Sequence, residues 1–108
     1  METIVHRIRL RSGVGPERFE AWVTGVDYAT CPELPSVLQF SVHRVSVDEA
    51  ATFHYLEVIV VRGQEEFARD MRGLTFRKLS AEFAEMAEVI TEDVGTYIEP
   101  GYQVSSWR

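Results

Sequence analysis

The single cysteine of this 108-residue chain lies in a stretch that is dense in reactive side chains, Asp27-Tyr28-Ala29-Thr30-Cys31-Pro32-Glu33-Leu34-Pro35. A lone thiol cannot close an intramolecular disulfide, so Cys31 is either a small buried apolar group or a group used in chemistry. A carboxyl, a phenol and a hydroxyl lie within four residues of it, and two prolines partly fix the backbone. These neighbouring groups favour a chemical role for Cys31, although a packing role stays open because free cysteines are often buried.

Two of the three histidines are candidates to act with that thiol. His6 falls in a predicted first strand and His54 begins a predicted third strand, whereas His43 looks exposed and receives no role. A neutral imidazole beside a thiol can take its proton, giving a thiolate, or can carry protons to a bound substrate. The alternative for a strand histidine is a structural ring that is hydrogen-bonded to the backbone.

Other kinds of site find no support in the residue spacing. No His-x-x-x-His or Cys-x-x-Cys pair is present, so we predict no metal and no cofactor. Gly13-Val14-Gly15 lacks the remaining residues of a phosphate loop, and no Gly-x-Ser-x-Gly elbow occurs. What remains is an apolar and aromatic pocket with a thiol and one or two imidazoles, which suits cofactor-free proton transfer on an apolar organic molecule.

The alternation of residue types predicts the order β-α-β-β-α-β within one domain, 1–108. Strands are predicted over 3–10, 36–45, 54–61 and 89–97, and helices over 16–27 and 65–72, with a longer helix carrying Phe76, Leu79, Phe83, Met86 and Ile90 on one face. This order is the ferredoxin-like α+β plan with a four-stranded antiparallel sheet. In that plan the first and third strands are central, which places His6 near Cys31 and His54 nearer the opposite rim.

The helices of this plan cover only one face of the sheet. The second face is also predicted to be apolar, with Phe40, Ile59 and Val61 or their alternates on it. An uncovered apolar face of that size is a liability in a monomer, so the sequence predicts a homodimer that joins two sheets into an α+β barrel. His54 could then enter the pocket from the side or from the partner subunit. The aromatic tail residues Tyr102 and Trp107 are expected to pack on the pocket rim or on the partner.

Composition narrows the range of partners. The net charge of −6 argues against nucleic acid and against an anionic membrane surface. No apolar run reaches transmembrane length, and Met1-Glu2-Thr3 lacks the cationic start of a secretory signal. With one cysteine we therefore expect a cytoplasmic protein whose partner is a small aromatic molecule.

Four stretches together resemble one known family. They are Val5-His6-Arg7, the run from Asp27 to Val37, Phe53-His54-Tyr55-x-Glu57-Val58 and Pro100-Gly101-Tyr102. The chain resembles the RedY-like (HapK-like) family from its first strand to its tail, most specifically in Asp-Tyr-x-Thr-Cys-Pro-x-Leu-Pro.

The resemblance implies a dimeric α+β barrel from bacterial biosynthesis of prodigiosin-type pyrroles or tryptophan-derived bisindoles. It implies cofactor-free, redox-neutral cyclisation of the unstable dimer of indole-3-pyruvate imine to an indole carboxamide. The catalytic residues carried over from the family are Cys31 with His6 or His54. Four further residues, Asp27, Tyr28, Tyr55 and Tyr102, are predicted to bind the substrate. A non-catalytic protein that holds a hydrophobic intermediate, and a cofactor-free monooxygenase on the same barrel, are the alternatives.

Overall fold

The computed structural model describes residues 1–105, and the elements follow the predicted order. The strands are β1 (Glu2–Leu10), β2 (Val37–Arg44), β3 (Tyr55–Val61) and β4 (Ala87–Thr96), and the helices are α1 (Pro16–Trp22), α2 (Gln64–Met71) and α3 (Leu74–Met86). All neighbouring strands are antiparallel, in the order β2-β3-β1-β4. The predicted ferredoxin-like α+β fold is therefore confirmed.

The sheet register brings one histidine between two glutamates. His6 on β1 pairs with Glu57 on β3 and, on its other side, with Glu92 on β4. Because residues that pair across a sheet share a face, these three side chains form one row beneath the helices. His54 lies near the C-terminal end of β1, where its backbone N–H donates to the carbonyl of Ile8 at 2.7 Å.

Two apolar clusters hold the helices on the sheet. The first joins Ile8 and Tyr55 of the sheet to Phe19 and Val23 of the first helical segment. The second joins sheet residues to α2 through Phe67. The row formed by His6, Glu57 and Glu92 lies between the two clusters. The core side chains therefore leave a space between this row and the helices.

The predicted first helix does not end near Asp27. After α1 the chain continues as a π-helix (Val23–Asp27), one α-helical turn (Tyr28–Thr30) and a 3₁₀ turn (Cys31–Glu33). Cys31 thus belongs to a helical extension of α1, which we call the α1 extension (residues 23–33), rather than to an irregular connector. Pro32 is tolerated there because it occupies the first turn of the 3₁₀ segment, where no helical N–H is required. Short π-helical segments often occur at functional sites.

The prediction that Phe40, Ile59 and Val61 themselves lie on the uncovered sheet face is wrong, and the stated alternative, that their alternates lie there, holds for β3. Ile59 and Val61 are buried against Phe67 of α2, and Phe40 packs on the same cluster, so all three face the helices. The β3 residues that alternate with Ile59 and Val61 point to the uncovered face. One of them, Val58, pairs there with Val5 of β1. The last long helix also ends at Met86, so Ile90 belongs to β4.

No helix within residues 1–105 has the length and apolar character needed to cross a membrane.

Candidate functional site

A cleft of about 350 Å³ opens between the helices and the sheet, above the row of His6. This volume lies in the range of small-molecule sites. Its walls are mostly apolar and include the aromatic residues Trp22, Phe40, Phe67, Phe76 and Phe83. Four ionisable side chains besides the Cys31 thiol line it: His6, Asp27, Glu57 and Glu92. The cleft therefore joins an aromatic enclosure to a compact group of acids.

His6 is held between two carboxylates. Its Nδ1 lies 2.7 Å from Oε1 of Glu57, and its Nε2 lies 2.7 Å from Oε2 of Glu92. A neutral imidazole has only one N–H, so when both carboxyl groups are ionised the two contacts are satisfied only by the doubly protonated ring. Burial opposes that charge, but the hydrogen bonds and the negative charges of both glutamates outweigh it and raise the pKa of His6. His6 is thus an imidazolium that fixes two carboxylates.

Asp27 presents the opposite situation, a buried carboxyl group without a partner. Its side chain lines the cleft and the residue is 8% exposed. Within residues 1–105 no hydrogen bond or ion pair reaches its carboxyl group. Burial, reinforced by the negative charge of Glu57, raises the pKa of Asp27 to about 7. A carboxyl group with that pKa can accept and release a proton at neutral pH, as a general base or acid requires.

Cys31 lies at the same cleft, half-buried, and remains a thiol at neutral pH. Burial and the negative charges of Asp27 and Glu57 raise its pKa to about 11. No hydrogen bond connects its sulfur to His6 in the described part of the chain, since both nitrogens of that ring face glutamates. The structure places Cys31, His6 and Asp27 on one cleft, but it does not support proton transfer from Cys31 to His6.

Two other predicted site residues, Tyr28 and Tyr102, do not line this cleft. Tyr28 packs edge-on against Phe40, and its hydroxyl accepts a hydrogen bond from the backbone N–H of Val42 at 2.9 Å. It lines a separate shallow pocket with Cys31 and Pro32. Tyr102 is 88% exposed in the single chain, so the expected packing of the tail is not seen there. Trp107 lies outside the described residues.

His54 is a buried structural residue at the opposite rim. Its Nδ1 accepts a hydrogen bond from the backbone N–H of Leu10 at 3.0 Å, and its Nε2 donates to the carbonyl of Asp48 at 2.9 Å. Both ring nitrogens are therefore used in joining β1 to the loop after β2. It does not reach the cleft of its own chain, so of the two histidines His6 is the one beside Cys31.

Tyr55 belongs to the core rather than to the cleft lining. Its ring packs at a tilt against Phe19 with ring centroids 4.8 Å apart, and its hydroxyl donates to Glu20 at 2.7 Å. Tyr55→Phe should lower the free energy of unfolding by about 1.5 kcal/mol, since it removes a hydrogen bond to a charged acceptor. Turnover should change by less than about twofold, because every aromatic contact is kept. Urea unfolding and steady-state rates check both statements, and a large loss of turnover without destabilisation would contradict this placement.

Glu57 and Glu92 are site residues that the sequence alone left unassigned. A signal for Glu57 existed, because an acid interrupts the apolar inward positions of the strongest strand, Tyr55, Ile59 and Val61. Glu92 had no such signal, since its role follows from the pairing of β4 with β1. Among residues 1–105, no group of three His, Cys, Asp or Glu side chains is arranged to hold a metal ion.

The fold and the cleft define an α+β protein of the ferredoxin-like class with an enclosed aromatic site. Solved structures agree with this class. SnoaB from Streptomyces nogalater, described as a cofactor-independent oxygenase, has a TM-score of 0.70 at 16% identity, over 92% of this chain and 94% of that chain. A dimeric ferredoxin-like protein of unknown function from Thermobifida fusca has a TM-score of 0.64 at 15% identity, over 87% and 86%. At these identities the likeness concerns the fold alone.

The chain belongs to the REDY-like HapK family, whose model matches residues 2–98. The crystal structure of HapK from Hahella chejuensis is 45% identical and has a TM-score of 0.92. The match covers 97% of this chain and all of that one. No match was found among curated proteins. The family resemblance seen in the sequence is thereby confirmed.

Proposed function

We propose that this protein is a cofactor-independent enzyme that moves protons within an apolar aromatic substrate, with Asp27 as the group that accepts and returns the proton. The observation that carries the proposal is the buried, unpartnered carboxyl group of Asp27 in an aromatic cleft, with its pKa near 7. Proton transfer by such a group requires neither a redox partner nor a metal.

The other polar residues have supporting roles in this mechanism. Asp27 takes a proton from one atom of the substrate and delivers it to another, so that no electrons are lost or gained. The negative charge of Glu57 contributes to the raised pKa of Asp27. His6 positions Glu57 through its Nδ1 contact, and the neutral thiol of Cys31 contacts the substrate as a weak donor.

The specific reaction we propose is the redox-neutral cyclisation of the indole-3-pyruvate imine dimer to an indole carboxamide. It rests on membership of the HapK family together with the reaction that the resemblance implies. The apolar walls suit two indole rings, and tautomerisation of an imine is a proton transfer of the kind that Asp27 can perform. Prodigiosin-type pyrroles are the other substrate class that the resemblance implies.

The proposal is tested by adding the purified protein to the imine dimer while that dimer is generated in situ. Mass spectrometry should show a new product isomeric with an intermediate, formed equally under air and under nitrogen. An unchanged product distribution would exclude this substrate. Product formation that strictly needs oxygen would instead indicate a monooxygenase, and ligand binding without turnover would indicate a carrier of the intermediate.

We further propose that two chains associate through the uncovered sheet face to form a homodimer. Val5, Leu56 and Val58 lie at the centre of that face and are only half-buried in the single chain. A four-stranded face can supply the approximately 1,600 Å² that a standard stable interface buries. The exposed Tyr102 is then available to reach the partner subunit.

Val58→Asp should convert the dimer into a monomer at micromolar concentration, because it places a charge in the centre of the proposed interface. Analytical ultracentrifugation measures the outcome, and far-ultraviolet circular dichroism verifies the fold. Leu74→Asp is the matched control, since Leu74 is exposed and begins a helix on the other side of the sheet. A wild-type monomer, or a Val58→Asp dimer, would rule out this interface.

A further inference from the structure

The charges that line the cleft are unbalanced. Asp27, Glu57 and Glu92 supply carboxyl groups, while the imidazolium of His6 is the one cationic side chain among the described lining residues. His6 is already engaged by both glutamates. Glu92 is largely exposed, so water screens its charge, but Glu57 and Asp27 are enclosed. The interior end of the cleft thus carries more negative than positive charge whenever Asp27 is ionised.

Asp27 is the independent feature that points to a ligand. It lines the cleft, is more than nine-tenths buried, and has no partner among the described residues. A buried carboxylate is stable only when a cation or hydrogen-bond donors face it. Within residues 1–105 no side chain offers either to Asp27, and its carboxyl group lines the cleft, so a molecule bound in the cleft can supply such a group.

The apolar walls specify the rest of that molecule. Phe67 and Phe76 pack edge-on with ring centroids 5.8 Å apart, and Trp22 is fixed by its Nε1, which donates to Glu82 at 2.8 Å. Fixed aromatic surfaces favour flat apolar rings, and their faces also attract cations.

We infer that the cleft binds an aromatic ligand through a positively charged nitrogen, an ammonium or iminium group, which lies against Asp27 with Glu57 close by. This inference deepens the proposed function and rests on it, because it assigns the protonated imine nitrogen of the substrate to the carboxylate end. Any carboxylate of the substrate then lies toward the open mouth of the cleft, away from Asp27.

Three probes of the same shape test the inference by isothermal titration calorimetry at pH 8. Tryptamine carries the cation, indole-3-propionate carries an anion, and indole-3-propionamide is neutral. Tryptamine should bind at least about tenfold more tightly than indole-3-propionate, with the amide between them. Equal affinities, or tighter binding of the anion, would overturn the inference.

Two variants locate the source of the preference. Asp27→Asn keeps the size of the side chain and removes its charge, so the preference for tryptamine should fall to about twofold or less. Glu85→Gln removes the same charge from an exposed position on the far side of α3 and should leave the preference unchanged. An unchanged preference in Asp27→Asn would overturn the assignment to Asp27.

The wild-type protein gives a second readout that does not depend on a variant. Tryptamine stays protonated between pH 6 and pH 8, whereas Asp27 ionises across this range. The affinity of the protein for tryptamine should therefore rise by up to about tenfold from pH 6 to pH 8. The other charged groups that face Asp27 do not reverse this trend: Glu57 and Glu92 are acids on the same cleft, any loss of the His6 proton makes the cleft more negative, and Cys31 stays a thiol. A flat profile in the wild-type protein would overturn the inference.

These experiments distinguish a failure of the binding inference from a failure of the proposed reaction. Charge-selective binding without conversion of the imine dimer would leave the inference standing and would exclude only the proposed reaction. Conversion of the imine dimer by a protein that shows no preference among the three probes would support the proposed reaction and overturn the inference about charge.

Discussion

Asp27→Asn is expected to lower turnover of the imine dimer by about 100- to 10,000-fold, the range that general acid–base catalysis contributes. The amide fills the same space but cannot accept a proton at any pH near neutrality. In the wild-type protein, kcat/KM should rise with a midpoint near pH 7 as Asp27 ionises, and that limb should be absent in the variant. Steady-state rates of both proteins from pH 5 to pH 9 measure the effect.

Stability should change in the opposite direction from activity. Burial raises the pKa of Asp27 from 3.8 to about 7, so ionisation of this group is penalised in the folded state. Its cost to folding is absent below pH 4, grows as the pH rises, and is complete above about pH 7. Asp27→Asn should therefore be more stable than the wild-type protein at pH 8, by up to about 4 kcal/mol, and nearly equal to it at pH 4.

Cys31→Ser is the matched comparison at the same cleft. With its pKa near 11, less than one thiol in a thousand is ionised at neutral pH, so exchange for a hydroxyl should lower turnover by less than about tenfold. A loss in Cys31→Ser that equals or exceeds the loss in Asp27→Asn would return the catalytic role to the thiol. Full activity of Asp27→Asn would remove Asp27 from the mechanism.

The element order could be predicted because each element carries its own local pattern. The inward positions Ile4, His6 and Ile8 alternate in β1, and Pro16 begins the first helix where proline is favoured. The end of that helix was not predictable in the same way. Pro32 and Pro35 argue locally for a connector, whereas the chain stays helical through Glu33, since Pro32 occupies the first turn of the last helical segment, where no helical N–H is required.

The site could be predicted only where chemistry is concentrated in sequence. Asp27 and Cys31 lie four residues apart, so their shared cleft follows from one local segment. The partnership of His6 with Glu57 and Glu92 joins residues 51 and 86 positions apart and depends on strand register. His54 and Tyr55 were also assigned to the site, but in the structure Tyr55 donates to Glu20 and His54 accepts a backbone N–H, so neither side chain lines the cleft.

His6→Ala should lower the free energy of unfolding by about 3 kcal/mol at pH 7, because it leaves the enclosed Glu57 without its cation. The pKa of His6 is raised in the folded state, so the stability it contributes is complete below pH 6.5. That contribution is lost as the pH rises through the raised folded pKa. Urea unfolding of wild type and variant at pH 7, with the wild type also followed to pH 9, measures both parts.

Two double variants separate the loss of a cation from the loss of packing. His6→Ala/Glu57→Gln should be more stable than His6→Ala, because the uncompensated carboxylate is removed along with its partner. His6→Ala/Glu92→Gln should recover much less, since the Glu92 side chain is 57% exposed and water already solvates it. Equal behaviour of the two double variants would mean that His6 stabilises the sheet by packing alone. The imidazolium would then no longer explain how the acids of this cleft are held together.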